Sequence, residues 1–199
     1  MTDSSDDLAG APPASADDAL LRFFHLAGRL KETPRAGWAL RGIADAESVA
    51  EHSHRVALLA LLLAPRAEPP LDPGWCVAMA LVHDLAEALV GDITPFDGVG
   101  VDEKFRREDA AMQRLAALAD DDGLLVLWRE YAAGASPEAS FVKELDKLET
   151  VLQAAEYGAS GSVGHDSLDE FWDAAGVRIR SAETRALLAA LRRERDADG

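Results

Sequence analysis

The clearest hydrophobic pattern in the chain lies at residues 78–97, where apolar side chains recur at helical spacing. The pattern predicts a helix that runs to Gly91, because no glycine or proline interrupts it earlier. Within this apolar stretch stand His83, Asp84 and Glu87. Charged groups are seldom left in a core-facing helix without a partner, and a metal ion is a common partner. This segment is therefore the predicted active-site helix.

The same periodicity predicts seven further helices, and no segment shows the alternation typical of strands. The predicted helices cover residues 18–30, 46–64, 102–119, 123–131, 136–157, 167–178 and 182–195. The chain of 199 residues is long enough for one domain with a full core. We therefore expect an all-α helical bundle over residues 18–199. Residues 1–17, which are rich in Asp, Ala, Ser and Pro, are expected to form a disordered tail.

The overall charge narrows the range of partners. Twenty Lys and Arg residues against 36 Asp and Glu residues give a net charge of −16, which opposes binding to nucleic acid polymers and anionic membranes. A small anionic substrate would need a local basic cluster and a metal ion. No apolar run approaches the 18 or so residues of a membrane span, and the one cysteine, Cys76, excludes an internal disulfide and fits a reducing cytoplasm.

Two other predicted helices carry candidate metal ligands. His52 and His54 lie two residues apart and so point to nearly opposite faces, and only His52 falls on the apolar stripe. Asp146 follows the buried position Leu145, an awkward place for an unpaired carboxylate, although neighbouring lysines or a surface position would also accommodate it.

His52, His83, Asp84 and Asp146 together suggest a metal site inside the bundle. Two imidazoles and two carboxylates favour a divalent first-row ion over calcium, and Mn, Co, Zn, Fe, Ni and Mg all stay open. Such a donor set leaves coordination positions free for water and substrate.

Four residues are candidates for substrate binding. The loop after the first helix carries Arg35 and Trp38. It is either a plain connection with the indole capping the core, or it offers a guanidinium and an aromatic face to an anionic, ring-bearing ligand. Lys104 and Arg107 lie in the charged first turns of helix 102–119, either on a solvated face or within reach of a phosphate.

Three segments in order, ESVAEH, ALVHDLAEALVGDITP and FVKELDKLE, resemble the HD-domain metal-dependent phosphohydrolases, named for their H…HD…D ligands. The narrower pattern HDxxExxxGD resembles their 5′-deoxynucleotidase branch. Within that branch, a PRxGW loop and an EKxRREExAM-like run resemble the HD domain-containing protein 2 group. The likeness extends from about residue 20 to residue 195.

The resemblance implies a helical HD domain in which His52, His83, Asp84 and Asp146 bind the metal. It also implies that Glu87 and Asp92 are the acid–base and positioning carboxylates, that Arg35 contacts the phosphate and Trp38 the sugar or base, and that the protein is a homodimer. One position departs from the bacterial deoxynucleotidases, which carry an arginine immediately before the tryptophan. Gly37 stands there in this chain, and Arg35 lies two residues earlier.

The predicted activity is hydrolysis of a (deoxy)nucleoside 5′-monophosphate to the nucleoside and phosphate. One alternative is hydrolysis of cyclic or pyrophosphorylated nucleotides, against which the HDxxExxxGD pattern and the single-domain length argue. Another is a non-catalytic regulatory module, which would not need both Glu87 and Asp92 at the metal.

Overall fold

The computed structural model describes residues 13–164 and 168–198. Within these residues ten α-helices follow one another. They are α1 Ala16–Gly28, α2 Ala36–Ala39, α3 Val49–Leu63, α4 Pro73–Val82, α5 Glu87–Val90, α6 Val101–Ala119, α7 Asp122–Ala133, α8 Pro137–Ala159, α9 Asp169–Arg178 and α10 Ala182–Asp198. The described segments contain no strand, only an isolated bridge between Pro34 and Ser48. The predicted all-α fold is confirmed.

The helix starts follow local capping chemistry. Ser15 caps α1 by accepting a hydrogen bond from the backbone N–H of Asp18, so Ala16 and Asp17, assigned above to the tail, belong to this helix. The helix therefore begins two residues earlier than predicted. Residues 1–12 and the loop residue His165 lie outside the described residues. α8 begins as predicted, with Ser136 as its cap.

α3 begins three residues later than predicted. Ser48 and Glu51 form a reciprocal capping box, in which each side chain accepts a hydrogen bond from the other residue's backbone N–H. This cap places His52 in the first turns of the helix, where it is fully buried, and leaves His54 exposed.

The predicted central helix is interrupted. The chain leaves the helix after Val82, turns through residues 83–86 and re-enters a short helix at Glu87. The backbone N–H of Leu85 donates to the carbonyl of Val82 at 3.1 Å, and that of Glu87 donates to Asp84 at 3.0 Å. These hydrogen bonds join residues three apart, as in a 3₁₀ turn, instead of four apart as in an α-helix. Apolar periodicity cannot distinguish such a turn from a helix, because the turn residues Leu85 and Ala86 are buried too.

Three helices form the centre of the bundle. α3 packs against α4 and α8, and α4 packs against α8. Their contact positions Val56, Met79, Val142 and Leu145 have no exposed surface. No helix in residues 13–164 and 168–198 is long and apolar enough to cross a membrane. The bundle therefore brings its central helices together around the four residues predicted as metal ligands.

Candidate metal centre and active site

The four predicted metal ligands come together from separate parts of the chain. His52 lies on α3, His83 follows the last residue of α4, Asp84 lies in the turn after it, and Asp146 lies on α8. The Nε2 atoms of His52 and His83 are 3.3 Å apart, and Asp146 Oδ1 is 3.4 Å from His52 Nε2. One donor atom from each of these three residues lies within 4.8 Å of the other two.

Asp84 completes the group from the turn that follows α4. Its Oδ2 atom is 3.1 Å from His83 Nε2 and 3.7 Å from His52 Nε2. On an uninterrupted helix Asp84 would point about 100° away from His83. The same Oδ2 atom accepts a hydrogen bond from Arg35 Nη1 at 3.2 Å.

Each imidazole is oriented by a hydrogen bond from its Nδ1 atom, the nitrogen that faces away from the other predicted ligands. His83 Nδ1 lies 2.7 Å from the carbonyl oxygen of Ala80, which can only accept, so this nitrogen is the one that carries the proton. His52 Nδ1 contacts a carboxylate oxygen of Glu149 in the same way. Both Nε2 atoms are therefore turned toward one point, which is the orientation that a metal site requires.

The electrostatics of the group favour a cation. Burial raises the pKa of Asp84, but His83 and Arg35 outweigh it and hold the pKa below its ordinary value. Burial likewise opposes ionisation of Asp146, and Lys147 and His52 hold its pKa well below the usual range. Both carboxylates are thus ionised.

His52 is a buried imidazole that favours a positive charge. Burial and the charge of Arg35 oppose its charged form, yet contacts with Asp146 and Glu149 raise its pKa to about 9. A metal ion placed between the Nε2 atoms would replace that proton and use the same carboxylates. The donor set of two imidazoles and two carboxylates, with each imidazole anchored behind, fits a divalent metal ion.

Glu149 is a functional candidate that the sequence reasoning missed. Its carboxylate has no exposed surface and contacts both His52 and Arg55, whose Nε donates to it at 2.8 Å. It lies three residues after Asp146 on α8, so the two side chains share a helical face. This spacing from Asp146 is the feature of the sequence that could have identified Glu149 as a residue near the metal site.

We expect Glu149→Ala to weaken metal binding about 10- to 100-fold, because His52 would lose the group that fixes its ring. Competition with a chelator of known affinity measures this. Glu149→Gln, which keeps an acceptor for Nδ1, should recover most of the affinity. Glu156→Ala removes another carboxylate from Arg55 without touching His52 and is the matched control. Unchanged metal affinity in Glu149→Ala would contradict the role.

Glu87 stands beside the four residues with an unused oxygen. Its side chain is buried, and Oε2 has no hydrogen-bond partner among the residues that the structure describes. Burial, and next the charges of Asp84 and Asp92, raise the pKa of Glu87 well above its ordinary value. A buried carboxyl group with a raised pKa and a free oxygen is a candidate to exchange a proton with a reacting group.

Asp92 connects the site to the segment that carries Arg35. Its Oδ2 atom accepts a hydrogen bond from the backbone N–H of Ala36, the first residue of α2, at 2.9 Å. Gly91 ends α5 with a φ of 75°, a left-handed conformation that favours glycine, and so turns the chain toward α2. Asp92 thereby holds Arg35 beside the metal-site residues.

A cleft of about 570 Å³ opens over these residues. Glu87, Asp92 and three of the four predicted ligands line it, His52 being buried beneath. Despite the net charge of −16, the cleft wall carries a cluster of cationic side chains. They are Arg35, Arg41, Lys104, Lys143 and Lys147. Six carboxylates line the same cleft, so an anionic substrate would need a metal ion there to offset part of their charge.

The structure separates Lys104 from Arg107, which were predicted together. Lys104 lines the cleft, where Nζ donates to the carbonyl of Ile93 at 2.8 Å. Arg107 lies on the exposed side of α6 with its Nε 2.6 Å from Glu103, outside the cleft lining. Residues three apart on a helix lie about 60° from each other, so the edge of the helix face that meets the cleft falls between Lys104 and Arg107.

Trp38 is part of the core. Its side chain is 2% exposed, it packs against Tyr157 and Phe171, and its indole N–H donates to Glu47 at 2.8 Å. Its only exposed surface borders the cleft. Of the two interpretations left open by the sequence, capping of the core describes most of this side chain.

The chain belongs to the HD-domain family. The sequence model of the HD domain matches residues 27–184, a range that contains all four predicted metal ligands. The resemblance noted in the sequence is therefore confirmed, and the class of protein is that of the HD-type hydrolases.

Within that family the chain is similar to proteins named as 5′-deoxynucleotidases. It is 42% identical over 183 residues to the 5′-deoxynucleotidase HDDC2 of Bos taurus, spanning 90% of this chain and 87% of that protein. It is 39% identical over 146 residues to the 5′-deoxynucleotidase hdd1 of Schizosaccharomyces pombe, spanning 70% and 72%.

Solved structures share the fold. A Pyrococcus horikoshii protein superimposes with a TM-score of 0.75 at 35% identity, covering 87% of this chain and 98% of its own. A predicted metal-dependent phosphohydrolase from Magnetospirillum magnetotacticum gives 0.69 at 28% identity, covering 95% and 97%. The likeness therefore extends over most of the chain.

Proposed function

We propose that this protein is a metal-dependent 5′-deoxynucleotidase, which hydrolyses deoxynucleoside 5′-monophosphates to nucleoside and inorganic phosphate. The observation that carries the proposal is Glu87, a buried carboxyl group with an unpartnered oxygen, beside the predicted metal ligands in a cleft that cationic side chains also line. The similarity to proteins named 5′-deoxynucleotidases supports the substrate class.

His52, His83, Asp84 and Asp146 would hold the metal ion, whose identity among Mn, Co, Zn, Fe, Ni and Mg stays open. When bound, such an ion supplies Lewis-acid activation of the attacking water and of a phosphate oxygen. His83 Nδ1 donates to the carbonyl of Ala80 and His52 Nδ1 donates to Glu149, and these hydrogen bonds keep both imidazoles in the ligating orientation.

Arg35 is the proposed phosphate-binding group. Burial opposes its charge, but Asp84 first, and then Asp92 and Asp146, raise the pKa of Arg35 above its ordinary value, so the guanidinium is always charged. Its Nη1 and Nη2 lie 3.2 Å and 3.9 Å from Asp84 and Asp146. A planar guanidinium binds two phosphate oxygens at once, and it is held here at the edge of the metal site. Lys104, which also lines the cleft, adds a second positive charge.

Glu87 is the proposed acid–base group. The oxygen of the attacking water forms a bond to phosphorus while Glu87 accepts a proton from that water. The bond between phosphorus and the 5′ oxygen then breaks, and the 5′ oxygen takes up a proton to leave as the nucleoside hydroxyl. Asp92 contributes by holding the segment that bears Arg35.

A phosphate-release panel of metals against substrates tests this function. The substrates are deoxynucleoside and ribonucleoside 5′-monophosphates, cyclic nucleotides and guanosine tetraphosphate. We expect release from the 5′-monophosphates alone, with the metal required. Release only from cyclic or pyrophosphorylated nucleotides would replace the proposal by the first alternative. No release from any substrate with any metal would favour a regulatory module.

A homodimer and a cytoplasmic location belong to the same proposal. The family resemblance supports the first, and the single cysteine, which is buried, is consistent with the second. Analytical ultracentrifugation that finds only monomer at micromolar concentration would contradict the dimer. Cell fractionation tests the location.

A further inference from the structure

Aromatic side chains line the part of the cleft that the phosphate chemistry leaves unused. Phe96 and Phe171 border the same cleft as Glu87 and Asp92, together with the guanidinium of Arg41. None of these three has a role in holding the metal, the phosphate or the attacking water. They do, however, share a cleft wall with the groups that have those roles.

Exposure of Phe96 is not by itself informative. Its side chain is 68% exposed, but Phe24 on α1 is 60% exposed as well, and single exposed apolar residues are common on proteins. Phe96 differs in what lies near its ring. The Arg41 guanidinium carbon lies 6.0 Å from the centroid of Phe96 and 4.3 Å from the centroid of Phe171. Arg41 thus lies over two aromatic rings at the cleft wall.

Arg41 is held rigidly in that position. Its Nη1 donates to the carbonyl of Gly37 at 2.6 Å, its Nη2 pairs with Glu170, and its side chain is only 11% exposed. Its Nε atom has no hydrogen-bond partner in the part of the chain that the structure describes. That buried atom is not accessible to a ligand, but a fixed, flat cation beside an aromatic ring suits a flat ligand.

The spacing along α2 links this region to the phosphate group. Arg35 caps the N-terminal end of α2, and Arg41 follows its C-terminal cap, Leu40. At about 1.5 Å per residue these six positions span about 9 Å along the helix axis. That is the length scale of a nucleoside monophosphate, with its phosphate at one end and its base at the other.

We propose that Phe96, Arg41 and Phe171 form the nucleobase subsite of this enzyme, with the exposed ring of Phe96 packing on the base. The inference rests on the proposed function and adds to it the residues that contact the base. Stacking uses the flat face that every base has, so the subsite accepts purines and pyrimidines alike. Because most of the Phe96 ring is exposed, it is able to turn onto a base of either size.

Phe96→Ala tests the subsite against a substrate that lacks the base. We expect kcat/KM for a deoxynucleoside 5′-monophosphate to fall about tenfold or more, since an aromatic stacking partner is lost. For 2-deoxyribose 5-phosphate, which offers the same sugar and phosphate, kcat/KM should stay within about twofold of the wild-type value. Phe96→Tyr should restore the nucleotide value.

Product inhibition gives a second measurement. In Phe96→Ala the inhibition constant of the free deoxynucleoside should rise by about the same factor as kcat/KM for the nucleotide falls. The inhibition constant of inorganic phosphate should not change. Phe24→Ala removes an equally exposed phenylalanine outside the cleft and is the control. Equal effects on the nucleotide and on deoxyribose phosphate, or no effect on either, would overturn the subsite. Failure of the proposed function looks different, because the wild-type protein itself would then release no phosphate.

Discussion

Glu87→Gln is expected to release phosphate at least about a hundredfold more slowly than the wild-type protein while it keeps its metal. Glutamine has nearly the same shape as glutamate but cannot accept the proton of the attacking water. Loss of a general base typically costs two to four orders of magnitude in rate. Steady-state kinetics on the fully metallated protein, with elemental analysis of the same sample, measure both quantities.

The melting temperature should not fall in Glu87→Gln. Burial raises the pKa of Glu87, so the native state of the metal-free protein loses stability as the pH rises through that raised value. Glutamine does not ionise and removes this cost. Glu32→Gln, which makes the same charge change at an exposed position, is the control. Near-normal turnover in a fully metallated Glu87→Gln would remove its acid–base role, and a lower melting temperature would indicate a structural role.

The second large effect is expected at the metal ligands. The wild-type protein should bind about one divalent metal ion per chain, and chelation should lower its melting temperature. Asp146→Ala and Asp84→Asn should lose metal and activity together, because each removes a carboxylate that contacts His52 at the centre of the site. Phosphate release should fall in proportion to the metal content that elemental analysis finds.

Asp109→Asn provides the comparison, since Asp109 also belongs to an ion pair, with Arg129, but lies outside the cleft. It should keep full metal content and full activity. Metal still bound at full stoichiometry in Asp146→Ala would refute its assignment as a ligand. The contrast with Glu87→Gln is informative, because that variant should lose rate without losing metal.

Much of the architecture could be predicted from the sequence. Helical periodicity indicated the long helices α3, α6 and α8 to within a few residues, because a helix with one buried face has apolar residues at regular spacing in its own sequence. The position of His52 on an apolar stripe distinguished it from His54, and the structure places the first in the core and the second in solvent. The H…HD…D order also indicated which family to expect.

Other features were decided only when distant segments came together. The turn at residues 83–86 interrupts an unbroken apolar pattern, and Asp84 in that turn lies against both imidazoles. Burial of Trp38 depends on Tyr157 and Phe171, which lie more than a hundred residues away in the chain. No local pattern can show such a partner.

The tertiary structure likewise chose between residues that the sequence treats alike. Lys104 and Arg107 are both basic residues near the start of one helix, yet only Lys104 lines the cleft. Nothing in the local sequence distinguishes Glu149 or Arg41 from other charged residues. Glu149 contacts His52 only because α8 packs on α3, and Arg41 lies over the ring of Phe171 only in the folded protein. Periodicity states which face of a helix is buried. The rotation of each helix about its axis, set by packing against its neighbours, determines which side chain reaches the site.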